Sequence, residues 1–543
     1  MFSLRISVFT LWSTNGLCPL RPFCGMRRSF ICLGTPLLAS FGLMTHAHIA
    51  GSIHADVAKA GPQWLTLPED LNQLRAELWP AGTERDEMGR IVIGGVPLTR
   101  VAAEQGTPAY VIDEQEFRTR SRAFRDNFAG WRVYYAGKAL LTRAVARWVT
   151  EEGLHLDVTT MGEMRIALAG GMPAERLGFH GNNKSVEEIR FALEQGVGRI
   201  IVDSFHEIDR IEAACQEFGK RAHALVRVTT GVEAHTHEYI ATAHEDQKFG
   251  LSILGGHALA ALVRCQSSPF IELRGIHSHI GSQIFETHGF EVAIRRTLRL
   301  AEQFRVATGV ELAELDLGGG FGIAYTEADS PMPTDALAQA FEDILDHECR
   351  GFGLKRPQLS IEPGRAICGP AGVALYEVGT VKAVELENGR SRTYVSVDGG
   401  MSDNIRPALY AAEYSCALAN RTSDADPVLA RGVGKHCEGG DILIRDVFLP
   451  RDIAPGDLIA VPGSGAYCRS MASNYNQVPK PPWPSSNGSR SGTCGGGEGR
   501  KKKRSCRCAA RSINSNGKAK RGATSVIGFG RLTASYSKPN RLT

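Results

Sequence analysis

Between residues 131 and 365, eight short apolar runs alternate with segments of helical period. The runs cover 133–136, 154–158, 177–180, 199–203, 224–228, 273–279, 315–317 and 359–362. Among the intervening segments, 144–152, 186–195 and 341–349 repeat apolar residues at a spacing near 3.6. Strands alternating with helices build a parallel sheet, either open and doubly wound or closed as a (β/α)8 barrel. The residues that carry chemistry choose between the two. Lys138 follows the first run, Asp157 lies in the second, and His180 ends the third. His279 ends the sixth, Gly318-Gly319-Gly320 follow the seventh, and Glu362 ends the eighth. An open sheet would spread these positions along its edge, whereas a barrel mouth gathers them into one ring. The α/β fold predicted is therefore a (β/α)8 TIM barrel.

Outside this stretch the pattern changes. Segments 373–384, 393–397, 441–448 and 457–461 alternate or run apolar, with turn signals at Glu387-Asn388-Gly389 and Pro455-Gly456. They predict a second, β-rich domain. Segments 90–96 and 108–112 also read as strands, and both are assigned to that domain, so the barrel is an insertion within it. The organisation predicted is an N-terminal extension over 1–55, a segment over 56–116 joining the β domain, a barrel over 117–372, a C-terminal β domain over 373–482, and a disordered basic tail over 483–543. Residues 1–55 hold no Asp or Glu and several Arg, as transit peptides do. The reading preferred here is upstream sequence ahead of a natural start at Met44. The tail is rich in Gly, Ser, Lys and Arg, including Lys501-Lys502-Lys503-Arg504. Glu codons read one base out of frame become Lys codons, so a frameshift through an acidic helix would produce such a run.

A net charge of +4, with much of the basic excess in the tail, gives no case for nucleic acid as a partner. The apolar stretch 30–43 is too short and too interrupted to span a bilayer. Thirteen scattered cysteines without a CxxC pair read as reduced cytoplasmic thiols.

Four islands suit pyridoxal phosphate. Tyr135-Ala136-Gly137-Lys138 offers an amine nucleophile for imine formation. A lone lysine at a strand end is ordinarily a solvated tip, and apolar company can deprotonate it by desolvation. His277-Ser278-His279-Ile280-Gly281-Ser282-Gln283 offers an imidazole, His279, to stack on a ring, and a hydroxyl, Ser282. The glycines 318–320 allow backbone amides to approach a phosphate where no Cβ intervenes. Glu362, in Glu362-Pro363-Gly364-Arg365, offers a carboxylate to a pyridine nitrogen; its bland alternative is a surface salt bridge with Arg365. Tyr467 is placed to reach in from the β domain, and Cys437 to deliver a proton from a turn. His235, His237, His244 and Glu245 lack an informative metal-ligand spacing, so no metal is predicted.

These islands, with His180-Gly181-Asn182-Asn183-Lys184-Ser185, resemble the fold-type III pyridoxal phosphate-dependent decarboxylases over roughly residues 56–482. Three further motifs resemble the branch acting on meso-diaminopimelate: the run from Asp398 to Pro407, His436-Cys437-Glu438, and Gly465-Ala466-Tyr467. The resemblance implies decarboxylation of meso-2,6-diaminopimelate to L-lysine in lysine biosynthesis, by a homodimer with shared active sites. It implies Lys138 as the Schiff-base residue and Cys437, from the partner subunit, as the proton donor. It places Arg365, Arg406, Tyr410, Glu438 and Tyr467 on the substrate, the two arginines gripping the distal carboxylate and Glu438 its ammonium. The alternatives are an inactive cofactor-binding homologue or a decarboxylase of another basic amino acid. The chain departs from the family at Gly439, where Ser is common, at Thr159-Thr160-Met161-Gly162, and from Trp483 onward.

Overall fold

The computed structural model describes Pro62 and residues 64–232, 247–386 and 391–482. The extension 1–55, the tail from Trp483, the histidines at 235, 237 and 244, and the Glu387-Asn388-Gly389 turn lie outside the described residues.

All eight apolar runs are strands of one closed parallel barrel. They are β1 Arg132–Ala136, β2 His155–Val158, β3 Leu177–Phe179, β4 Arg199–Val202, β5 Ala222–Thr229, β6 Ile271–Ser278, β7 Glu314–Asp316 and β8 Gln358–Ile361. Each pairs with its sequence neighbours, and β8 pairs with β1 to close the ring. The strands are short and apolar because helices cover their outer face and the barrel interior their inner one. Hydroxyl caps start four of the covering helices. Thr142, Thr160, Ser185 and Ser204 each accept a backbone N–H, and Ser185 with Glu188 forms a capping box. Thr160, part of the departure from the family pattern, thus has a local function. The helix Glu114–Asn127 precedes β1 and packs against the helices Arg143–Glu151 and Thr334–Phe352, completing the outer ring.

The β domain is built on β9 Gly372–Glu385, a 14-residue strand. Its first half pairs with Ala109–Ile112 on one edge and with β13 Leu458–Val461 on the other. Its second half pairs with β10 Ser391–Val397, which leads to β11 Pro427–Val433 and β12 Ile442–Pro450. Strands from both sides of the barrel therefore share one sheet. Segment 90–96 does not join it. Ile91–Ile93 and Val96–Pro97 pair with each other, and Glu84–Arg85 adds a third strand. Gly94 and Gly95, at φ 55° and 75°, reverse the chain too tightly for it to continue into the larger sheet. The small sheet packs on the domain through Ile91, Ile93, Leu375 and Leu458. Among the described residues no helix is long and apolar enough to cross a membrane.

Candidate active site

The strand ends converge on a cavity lined by Lys138, His279, Ser282, Gly320, Glu362 and Arg365. Lys138 enters it from the turn Gly137–Ala139 after β1. Its side chain is exposed and points into the opening, while its neighbours Tyr135, Ala136 and Ala139 are buried.

Glu362 lies 7% exposed at the end of β8 and lines the same cavity, so it is no surface salt bridge with Arg365. Its Oε1 is 2.8 Å from His277 Nε2 and 3.5 Å from His180 Nε2. The angles fail for a hydrogen bond, leaving Oε1 and both ring nitrogens of His277 buried without a hydrogen-bond partner. Such an acceptor is costly to bury unless a donor meets it. A protonated pyridine nitrogen is a donor of the right kind. Burial holds His277 and His279 well below the usual histidine range and His180 at about 4, so all three are neutral near pH 7. Burial and then the charge of Glu362 push Asp157 up, and Asp316 up to about 6. The ligand atoms of His180, His277 and Glu362 lie within 4.8 Å of one another, but a metal ion there would take the oxygen that a ring nitrogen needs.

The three glycines divide their duties. Gly318 donates its N–H to Asp316 Oδ1 and Gly319 to His279 Nδ1, so two of the amides assigned to a phosphate are already engaged. Methyl groups at Gly318, Gly319 and Gly320 would sit 2.4, 2.2 and 2.5 Å from the carbonyl oxygens of Ser278, Glu362 and Gly281. Close packing thus requires all three, while only Gly320 lines the cavity. The bond from Gly319 also fixes Nδ1 of His279 as an acceptor, the neutral form. Pro363 accepts the N–H of Ala136, tying β8 to β1, and Gly364 packs beside Ala136 and Ala139.

Arg365 is buried beside Ser282 and Tyr467. It donates to Tyr325 Oη at 2.6 Å and to Ser282 Oγ at 2.8 Å, and its guanidinium lies 4.8 Å from the Tyr467 ring centroid. Ser282 accepts there and keeps its own O–H to give. Arg406, from the β domain, is also buried. It donates to Tyr414 Oη and stacks 4.7 Å from the Tyr325 ring centroid. Tyr325 therefore joins the two arginines. Sequence reading missed both Tyr325 and Tyr414, since neither stands in a motif. Tyr467 comes in from the β domain at φ 66°, with its N–H on the carbonyl of Ala139.

The remaining candidates stand apart from the cavity lining. Tyr410 is half-buried at the end of the helix Arg406–Tyr410. Cys437 and Glu438 are exposed on the loop between β11 and β12. His436 anchors that loop, with Nε2 2.8 Å from Ser402 Oγ and Nδ1 2.7 Å from Asn476 Oδ1. Glu438 Oε1 accepts from Tyr475 Oη.

Residues 114–369 match the family of pyridoxal-dependent decarboxylases, pyridoxal binding domain. A diaminopimelate decarboxylase of Mycobacterium tuberculosis (strain ATCC 25618 / H37Rv) is 52% identical over 417 residues, covering 76% of this chain and 93% of the relative. A diaminopimelate decarboxylase of Bacillus subtilis (strain 168) is 45% identical over 405 residues, covering 74% and 91%. The crystal structure of a diaminopimelate decarboxylase from M. jannaschii in complex with L-lysine superimposes with a TM-score of 0.69 at 29% identity, covering 75% and 93%.

Proposed function

The chain belongs to the diaminopimelate decarboxylase family, and on that premise we propose how its residues share the reaction. The enzyme is a pyridoxal phosphate-dependent carboxy-lyase that converts meso-2,6-diaminopimelate to L-lysine and CO2. When bound, pyridoxal phosphate supplies the electron sink for the pair left on the α-carbon by CO2. Lys138 Nζ is its attachment point. Glu362 Oε1, a buried acceptor without a hydrogen-bond partner, receives the ring N–H. Neutral His279 would pack against the ring, and Gly320, Ser282 and Tyr467, which line the same cavity, would hold the phosphate.

The observation that carries the substrate assignment is the linkage of Arg365 to Arg406 through Tyr325 beside the Lys138 cavity. Two guanidiniums on one aromatic pillar suit a substrate with a second carboxylate, which ornithine and arginine lack. Tyr410 and Glu438 complete the distal end, Glu438 meeting the ammonium. Cys437 Sγ gives the proton to the α-carbon. Cys437 and Glu438 are exposed and outside their own chain's cavity, so a homodimer in which they complete the partner's site accounts for both. The free cysteines favour a reducing, cytoplasmic setting.

A substrate panel tests the reading. Purified protein with pyridoxal phosphate should release CO2 and form L-lysine in equal amounts from meso-diaminopimelate. Release from ornithine or arginine at a comparable rate would replace this substrate assignment with a diamine-forming one.

A further inference from the structure

The exposed loop that carries Cys437 and Glu438 is tied to a short segment, residues 473–477, that has no part in the scheme so far. Ser473 donates its backbone N–H to the carbonyl oxygen of Ser402 at 2.8 Å, which seats the segment beside the loop. Ser473 Oγ accepts the N–H of Tyr475 at 3.3 Å. Asn476 and Gln477 then take φ of 49° and 61°, a left-handed turn that is uncommon away from glycine. The turn brings Asn476 Oδ1 within 2.7 Å of His436 Nδ1. The Tyr475 ring lies 5.2 Å from the His436 ring, and its hydroxyl donates to Glu438 Oε1. His436 is buried, whereas Glu438 and Tyr475 are exposed. Three links therefore join the segment to the loop and its surroundings, and the last of them ends on the Glu438 carboxylate itself.

We propose that Tyr475 is a positioning residue for substrate specificity: its hydroxyl holds the Glu438 carboxylate where it meets the distal ammonium of the substrate. An exposed glutamate samples several rotamers, and a ligand that uses only one of them must order the side chain on binding. A tyrosine ring has two side-chain torsions and here rests on a buried, doubly anchored histidine, so it is a stiff support. Tyr475 occupies Oε1 and leaves Oε2 for the charge-assisted hydrogen bond from the ammonium. Ordering Glu438 in advance favours only ligands that carry the ammonium, so it acts on discrimination and not on binding in general. This inference rests on the assignment of Glu438 to the distal ammonium given above.

The test uses the holoenzyme and two compounds: meso-diaminopimelate, and 2-aminopimelate, which keeps both carboxylates and lacks the distal amine. KM is read for the first, and the competitive inhibition constant against it for the second. The parent should favour meso-diaminopimelate. In Tyr475→Phe, which keeps the ring and removes the hydroxyl, that preference should shrink about threefold to tenfold, the scale of one side chain left to be ordered on binding. The change should come from a raised KM. In a Glu438→Ala background, Tyr475→Phe should add nothing to the loss of preference. An unchanged preference would overturn the proposal. So would an equal weakening of both compounds, which would mean a general packing role, or a full further loss in the Glu438→Ala background. A parent that does not distinguish the two compounds would instead remove Glu438 from the ammonium. A parent that releases no CO2 from meso-diaminopimelate would overturn the functional reading itself.

Discussion

The backbone N–H of Tyr467 donates to the carbonyl oxygen of Ala139 at 2.8 Å, so the β domain grips the turn that carries Lys138. Ser470 Oγ donates to the same oxygen at 3.0 Å. Behind this joint, Gly465 packs so closely that a methyl would lie 1.8 Å from the Cys368 carbonyl oxygen, and one on Gly372 would lie 2.2 Å from Gly465 Cα.

Gly465→Ala should therefore force the two domains apart at the cavity rim. Overpacking of this kind costs about 1–3 kcal/mol. A lower melting temperature and weaker binding of pyridoxal phosphate are the expected results. A variant matching the parent in both would show that the joint is slack and does not position Lys138.

Tyr325→Phe deletes the hydroxyl that accepts from Arg365 and leaves the ring under Arg406 in place. A buried guanidinium deprived of its acceptor costs about 1–3 kcal/mol. Because the cofactor's own contacts survive, the loss should appear as a raised KM for meso-diaminopimelate at nearly constant cofactor affinity. Arg406→Ala should raise KM further, since it removes a charge and two aromatic contacts together. Unchanged KM values in both variants would take the arginine pair out of the substrate site.

Much of this was legible in the sequence, and the reasons differ by element. The barrel was readable because its strands are largely buried on both faces and four of its βα turns end on a Ser or Thr cap. The pairing of segment 90–96 was not legible, because its apolar residues do not reveal which strands they meet; Gly94-Gly95 turns it into a hairpin on itself. Lys138, Glu362 and Arg365 stand in contiguous motifs at strand ends. Tyr325 and Tyr414 do not: they meet the arginines only after the β domain packs on the barrel, a relationship between distant segments. The engaged amides of Gly318 and Gly319 were likewise invisible, because their acceptors come from the turn's own strand and its neighbour.

Glu314 offers a pH test of the barrel itself. It lies 4% exposed at the start of β7, with Arg132, Arg199 and Arg274 at 2.9, 2.5 and 3.1 Å. Although burial opposes them, the arginines hold its carboxyl down at about 2, against an ordinary value of 4.5. A depressed carboxyl adds stability above its unfolded pKa and loses it as pH falls through the folded one. Glu314→Gln should thus be destabilised by about 2–3 kcal/mol at pH 7. The gap to the parent should close between pH 4.5 and pH 2. A gap independent of pH in urea titrations would attribute the loss to packing alone.

Sharing of sites between subunits is tested by mixing. Lys138→Ala and Cys437→Ala proteins should each be inactive. Hybrid dimers would contain one site with both groups intact, so mixing after subunit exchange should restore part of the activity. No recovery, with exchange demonstrated by differently tagged chains, would place each Cys437 in its own chain's reaction or outside it.

Convergence of the strand ends makes Lys138 the covalent seat of the cofactor. Borohydride reduction of the loaded protein, followed by peptide mapping, should give a single pyridoxyl-labelled peptide containing Lys138, absent from Lys138→Ala. A label on any other lysine, or bound cofactor that reduction fails to trap, would contradict it.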